Sequence, residues 1–316
     1  MSIRSEILSE IPTVILPENI TSVRLIEGGF NNTNILINEN YLIKEYQQQD
    51  ESNDPVYERF IREKETLKLL EHNPHSPRLL NYYDKPPKLY ISREWIAGSH
   101  LSLEKVHSLA DRIIKAILSF HKFRNSTSGD FRYLDVISRY LREYKKILLG
   151  HSSKTDEFRT LPQYQTLIRY YKDQLIHLKE HESPKNIVRL HGDLVLSNII
   201  LSPNEEKLFF IDWEYSTLGN PLIDLAYLLT QNQIPKITKN KLLDCFCEQR
   251  GLDLDETELS IFCDLMTLMS ALWYSIHAYR LKFNFSNHSN SISSVAGSLK
   301  LANINFKSLK LAKNEK

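Results

Sequence analysis

Two short polar segments constrain this 316-residue chain more than any other feature. His191-Gly192-Asp193-Leu194-Val195-Leu196-Ser197-Asn198 sets an aspartate and an asparagine five residues apart on one loop. Ile211-Asp212-Trp213-Glu214 sets a second aspartate nineteen residues after the first, where the apolar run Leu208-Phe209-Phe210-Ile211 ends. A third segment, Gly219-Asn220-Pro221-Leu222-Ile223-Asp224-Leu225-Ala226, follows closely. Any fold for this chain has to carry an Asp/Asn loop and an acid-tipped strand end in this order.

The surrounding pattern predicts strands first and helices later. Thr21–Glu27, Asn34–Asn38 and Tyr41–Tyr46 read as three short strands, joined by the Gly28-Gly29-Phe30-Asn31-Asn32 turn and by Glu39-Asn40. A helix is expected from about Asp54 to Glu71, with Pro55 near its start and an apolar stripe of Val56, Tyr57, Phe60, Ile61, Leu67 and Leu70. Glu63 falls beside that stripe, and an acid on a buried flank needs a partner. Short strands near Leu79–Tyr83 and Leu89–Trp95 come next. After Gly98, helices are expected at roughly 103–123, 131–149 and 161–181, strand character returns at 187–212, and helices resume from about 221. The expected class is α+β, with two lobes: a small antiparallel β-rich lobe at 1–95 and a larger, mainly helical lobe at 96–316.

Phosphoryl transfer asks for the residue types these segments carry: a carboxylate near the attacking hydroxyl, oxygen ligands for Mg²⁺, and a cation on the nucleotide phosphates. Asp193, Asn198 and Asp212 supply the first two. Lys44 on the third strand supplies the cation, Glu63 is placed to hold its ammonium, and Gly28-Gly29 lies where backbone must approach phosphate. Protein kinases use the same arithmetic, H-R-D-x-x-x-x-N followed by an aspartate at a strand end. Only eleven residues separate Asp212 from Asp224, however, and no Ala-Pro-Glu follows, so there is no room for a peptide-carrying activation segment.

From Gly28 to about Arg280 the chain resembles the aminoglycoside phosphotransferase and choline kinase superfamily of small-molecule kinases. The resemblance rests on Gly28-Gly29-Phe30-Asn31-Asn32, with Asn31 where the family has a hydroxyl residue, and on Lys44 and Arg62-Glu63. It extends through Glu94-Trp95-Ile96-Ala97-Gly98, Ile117-Leu118-Ser119-Phe120-His121 and the three segments above, and Ile211-Asp212-Trp213-Glu214-Tyr215 is similar to choline-kinase-like and thiamine-kinase-like members. The resemblance implies ATP and Mg²⁺, with Asp193 as catalytic base and Asn198 and Asp212 on the metal. It implies nucleotide contacts from Gly28, Gly29, Asn32 and Lys44, with Glu63 positioning the lysine and the backbone of Glu94 and Ile96 on adenine. Asp224 is expected to be structural.

The implied acceptor is a small-molecule alcohol, foremost an amino alcohol such as choline or ethanolamine. Glu214, Trp273 and Tyr274 are the candidate substrate residues, because an acid and aromatic faces both attract a cation. Trp273 also shares a stripe with Met266, Met269 and Ile276, which is equally the pattern of core packing. Thiamine kinase and aminoglycoside phosphotransferase are the rival activities, and a non-catalytic member of the fold is a third possibility, opposed by the retention of Asp193, Asn198 and Asp212.

Composition narrows the classes further. Forty basic and thirty-nine acidic residues leave a net charge of +1, without the basic excess of a nucleic-acid binder. Cys245, Cys247 and Cys263 form neither a disulfide framework nor a zinc pattern, which points to reduced thiols and a cytoplasmic protein. The longest apolar run, Leu265–Tyr279, falls short of the roughly 20 residues needed to span a bilayer, so a buried helix and no membrane span are expected. Of only nine glycines, Gly28, Gly29, Gly98, Gly192 and Gly219 fall at the motifs just described.

Overall fold

The structure is a computed structural model that describes residues 8–26, 32–46, 56–123, 133–149, 158, 160–181, 187–251, 256–283 and 291–309. The chain forms two compact units, each assembled from separate stretches. One comprises 1–130, 188–218 and 235–251; the other comprises 131–187, 219–234 and 252–316.

The first unit is built on an antiparallel sheet of β1 (Val23–Ile26), β2 (Asn32–Ile37), β3 (Tyr41–Tyr46), β4 (Leu79–Lys85) and β5 (Lys88–Glu94), in the order β1-β2-β3-β5-β4. Ile35, Ile37, Ile43 and Tyr90 pack on one face of it with Ile11 and Ile15. Leu42, Lys44 and Tyr46 alternate onto the opposite face, where helix α1 (Val56–Leu69) lies, and Tyr46 meets Phe60 edge-on at 5.5 Å. Burial on both faces explains why β3 is mostly apolar, with only Lys44 and Glu45 charged.

β2 begins at Asn32, two residues earlier than expected, because its register with β3 runs from Ile37↔Tyr41 out to Asn32↔Tyr46. The connecting turn places Asn38 and Glu39 at positive φ, and the Asn38 side chain accepts the Thr21 and Ser22 amides.

After β5 the chain makes β6 (Ser99–His100) and two helices, α2 (Leu103–Val106) and α3 (Ala110–Phe120), in place of the single helix expected over 103–123. Ser108 between them bonds back to the Lys105 carbonyl at 3.0 Å, a local competitor to helix continuation. β7 (Val188–Leu190), β8 (Ile199–Leu201), β9 (Leu208–Phe210) and β10 (Thr217–Gly219) form two small sheets, ordered β10-β7 and β6-β8-β9. Gly98 lets the chain enter β6, since a Cβ there would stand 2.3 Å from the Leu201 carbonyl oxygen.

The second unit is helical: α4 (Tyr133–Leu149), α5 (Tyr164–His181), α6 (Leu222–Gln231), α8 (Glu256–Phe283) and α9 (Ser291–Ser308). The intervening α7 (Lys236–Arg250) belongs to the first unit and packs on α3. α8 is the centre of its unit, touching α4, α5, α6 and α9. By length and composition it could cross a membrane, the one such helix among the described residues, but 72% of its apolar window is buried inside the protein. It is longer than its apolar run because Glu256 and Glu258 open it and Arg280 and Lys282 close it, charges that suit the helix dipole.

Candidate active site

α1 supplies the first half of the site. Its inward arc buries not only Phe60 and Leu67 but Arg59, Arg62, Glu63 and Lys64. Ionised groups leave water only when they find counter-charges, and here most of them find one across the unit.

Lys44 is the meeting point. Its ammonium, 4% exposed, sits 2.6 Å from Glu63 Oε2, within hydrogen-bonding contact of Asp212 Oδ1, and 3.2 Å from Glu214 Oε2. Burial alone would lower the lysine pKa, yet Asp212, Glu214 and Glu63 together hold it well above its usual value. Tyr46 donates its hydroxyl to the same Glu63 oxygen, and burial, reinforced by that carboxylate, pushes the phenol well up. The site therefore carries a charged lysine and a neutral tyrosine.

Oxygens of Glu63, Asp212 and Glu214 all lie within 4.8 Å of one another. The cation this set holds is the Lys44 ammonium, and only a carboxylate of the set that can also turn outward suits a hard cation such as Mg²⁺. Asp212 is its accessible member, with a side chain 36% exposed, whereas Glu63 and Glu214 are buried. Asp212 adopts a left-handed backbone, φ 70°, as it leaves the strand run for the turn Trp213–Tyr215. A non-glycine residue held in this region is a common mark of functional sites.

The second half comes from the loop between β7 and β8. The Asn198 amide donates to the Asp193 carboxylate at 2.9 Å and to its carbonyl at 3.0 Å, fixing the two residues against each other. The Ile211 amide bonds the Asn198 carbonyl at 3.0 Å, which draws Asn198 toward the strand that ends in Asp212. His191 is fully buried. Its Nδ1 accepts the Asp193 amide at 3.2 Å, which leaves Nε2 to donate to the Ile211 carbonyl at 2.9 Å. Phe120, Phe210 and Trp213 surround the ring. The histidine is thus a brace between the two motifs, and its neutral tautomer follows from its bonds.

The remaining predicted residues are placed as follows. Asn32 donates to Glu214 Oε2 at 2.8 Å. Glu94 ends β5; its amide bonds the Arg78 carbonyl at 2.9 Å, its carbonyl accepts Arg93 Nη1 at 3.1 Å, and Ile96 beyond it is buried. Gly28 and Gly29 lie outside the described residues. Asp224 is fully buried on α6. In the second unit, Trp273 and Tyr274 are half-buried on α8, edge-on at 5.1 Å, and Trp273 stacks on His277 at 4.8 Å.

Arg59 and Arg93 were not singled out from sequence, and Arg62 was named only as part of a motif, without a partner. Arg59 reaches both oxygens of Glu214 at 3.3 Å, and Arg62 donates Nε to the Glu214 carbonyl at 2.8 Å. Arg93 is buried one residue before Glu94; burial lowers its pKa against the pull of Glu63 and Asp212. The spacing of Arg59, Arg62 and Glu63 on one helical arc was the available signal for the first two.

Known proteins resemble the chain in sequence and in fold. The sequence pattern of the phosphotransferase enzyme family matches residues 22–259. A Protein LicA homolog of Metamycoplasma hominis is 28% identical over 220 residues, 68% of this chain and 80% of that one. Choline kinase LicA from Streptococcus pneumoniae shares the fold with a TM-score of 0.64 at 18% identity, covering 96% of this chain and 99% of that one. The GDP and kanamycin complex of APH(2")-IIia does so with a TM-score of 0.68 at 14% identity, covering 95% and 98%. The α+β architecture is therefore the two-lobed, protein-kinase-like one, and with the match spanning most of its length the chain belongs to the phosphotransferase enzyme family.

Proposed function

We propose that this protein is an ATP- and Mg²⁺-dependent kinase that phosphorylates a hydroxyl of a small amino alcohol, choline or ethanolamine. The observation that carries the kinase reading is the Lys44 ammonium shared by Glu63 and Asp212, with an Asp193–Asn198 pair in the same unit. Support for the acceptor comes from the likeness to a LicA homolog and to a choline kinase.

In this reading residues 1–95 form the nucleotide lobe and 96–316 carry the catalytic and metal loops and the acceptor site. Asp193 Oδ accepts the proton of the acceptor hydroxyl as its oxygen attacks the γ-phosphorus, and ADP departs. The Asn198 amide, fixed on Asp193, orients that carboxylate. Lys44 holds the α- and β-phosphates, Glu63 holds Lys44, Gly28, Gly29 and Asn32 cover the phosphates, and the backbone of Glu94 and Ile96 receives adenine. Asn198 and Asp212 would hold Mg²⁺, which when bound neutralises charge on the phosphates. Trp273 and Tyr274 are the residues proposed for the cationic head of the acceptor. A cytoplasmic location supplies ATP and keeps Cys245, Cys247 and Cys263 as thiols, their form here.

The test is a phosphotransfer assay with ATP and Mg²⁺ across choline, ethanolamine, thiamine and kanamycin. Turnover on choline or ethanolamine is expected to exceed the others in kcat/KM. Turnover on thiamine or kanamycin alone would replace the amino alcohol with that acceptor.

A further inference from the structure

We infer that Glu214 is a positioning residue that stands in for a nucleotide phosphate, holding on one carboxylate the donors that the incoming nucleotide takes over; this rests on the ATP reading above. Glu214 is 2% exposed. Its donors fall into two classes. From the sheet come Asn32 Nδ2 at 2.8 Å and Lys44 Nζ at 3.2 Å, both on Oε2. From α1 come Arg59 Nη1, 3.3 Å from each carboxylate oxygen, and Arg62 Nε, 2.8 Å from the backbone carbonyl.

An amide N–H and an ammonium on one oxygen form the donor set a phosphate oxygen calls for. Asn32 follows the Gly28-Gly29 turn, and Lys44 is the site's cation, so both belong to the elements proposed to meet phosphate. Arg59 and Arg62 do not. When a phosphate draws Asn32 and Lys44 away, Glu214 keeps Arg59 on both oxygens and is not left as an uncompensated buried charge, the costly outcome for a broken buried pair. The Asn32 amide is poised for the exchange: its Oδ1 is buried without a hydrogen-bond partner, so only the Nδ2 bond to Glu214 holds that end. Glu214 thus keeps the nucleotide donors ordered while empty and competes with phosphate for them. The competition is strongest for a nucleotide without metal, whose negative charge the three clustered carboxylates also oppose.

The experiment is calorimetric titration with ADP, once in EDTA and once in MgCl₂, of the wild type, Glu214→Gln and Arg59→Gln, with unfolding midpoints and the KM for choline measured alongside. Glu214→Gln keeps the shape and removes the charge, so its metal-free ADP Kd is expected to fall about threefold or more, with a smaller change for Mg-ADP. Arg59→Gln leaves Glu214 dependent on Asn32 and Lys44, so its metal-free ADP Kd is expected to rise by a similar factor, and it decides the matter if Glu214→Gln does not fold. Unchanged ADP affinities with a lowered unfolding midpoint would show a structural carboxylate only. Loss of Mg-ADP binding with unchanged metal-free binding would make Glu214 a metal ligand, and a raised KM for choline alone would make it a contact of the acceptor cation. Wild-type protein that binds neither form of ADP would remove the nucleotide reading itself and the inference with it.

Discussion

At the scale of single residues, the account turns on Lys44, because three carboxylates depend on its charge. Lys44→Ala leaves the buried Glu63 without its cation, while Glu214 keeps Arg59 and Asp212 keeps its contact with solvent. Urea unfolding is expected to show a loss of about 3–5 kcal/mol, the range for a broken buried pair. Lys44→Arg should recover part of it by restoring charge without the compact ammonium geometry. A loss below about 1 kcal/mol for Lys44→Ala would mean that solvent already screens the cluster. Lys44 and Glu63 were legible in sequence, because a lysine after a Gly-Gly turn and an acid beside an apolar helical stripe are each unusual. Arg59 and Arg93 were not. A buried arginine looks like a solvated one until the partner residue distant in sequence is known, and Glu214 lies 155 residues beyond Arg59.

At the scale of elements, the loop after β7 is fixed to the Trp213–Tyr215 turn by close approach. Gly192 has φ 82°, and a Cβ there would stand 2.3 Å from the Tyr215 carbonyl oxygen. Gly192→Ala is expected to cost about 1–3 kcal/mol from backbone strain alone and to lower kcat with it, since Asp193 is the next residue. Thermal unfolding and steady-state kinetics on one preparation check both, and a fully active, undestabilised variant would contradict the placement. α8 carries a pH prediction. Burial, with Arg280 adding to it, lowers the His277 pKa from its ordinary 6.5. Above that value the ring is neutral in both folded and unfolded chains, so the stability is fully present. As pH falls below it the unfolded chain takes up the proton first, and stability drops until the folded-state pKa is passed. Urea midpoints at pH 7.5 and 5.5 should therefore differ less in His277→Gln than in the wild type. Element type was legible from period and turn chemistry over β1 to β5 and most helices. The split at Ser108 and the early start of β2 were not, because one depends on a side chain bonding its own backbone and the other on cross-strand register.

At the scale of the whole molecule, the first unit gathers residues from three stretches of chain, so Asp193, Asn198 and Asp212 fold together with Lys44 and Glu63. The order and spacing of the motifs singled out Lys44, Glu63, Asp193, Asn198 and Asp212, which the fold gathers into one unit. The hydrogen bonds joining them run between residues many positions apart and become visible only in the folded chain. The family match shows a phosphotransferase, and the lysine cluster and the Asp193–Asn198 pair support the proposal that Asp193 receives the acceptor's proton. The most direct measurement is transfer of label from γ-labelled ATP to choline by the wild type and by Asp193→Asn, with Mg-ADP affinity taken on the same samples. The expected result is labelled phosphocholine from the wild type, a kcat lower by about 10²–10⁴ in the variant as befits loss of a general base, and ADP binding within about twofold of wild type. A variant that turns over at near wild-type rate would contradict the account.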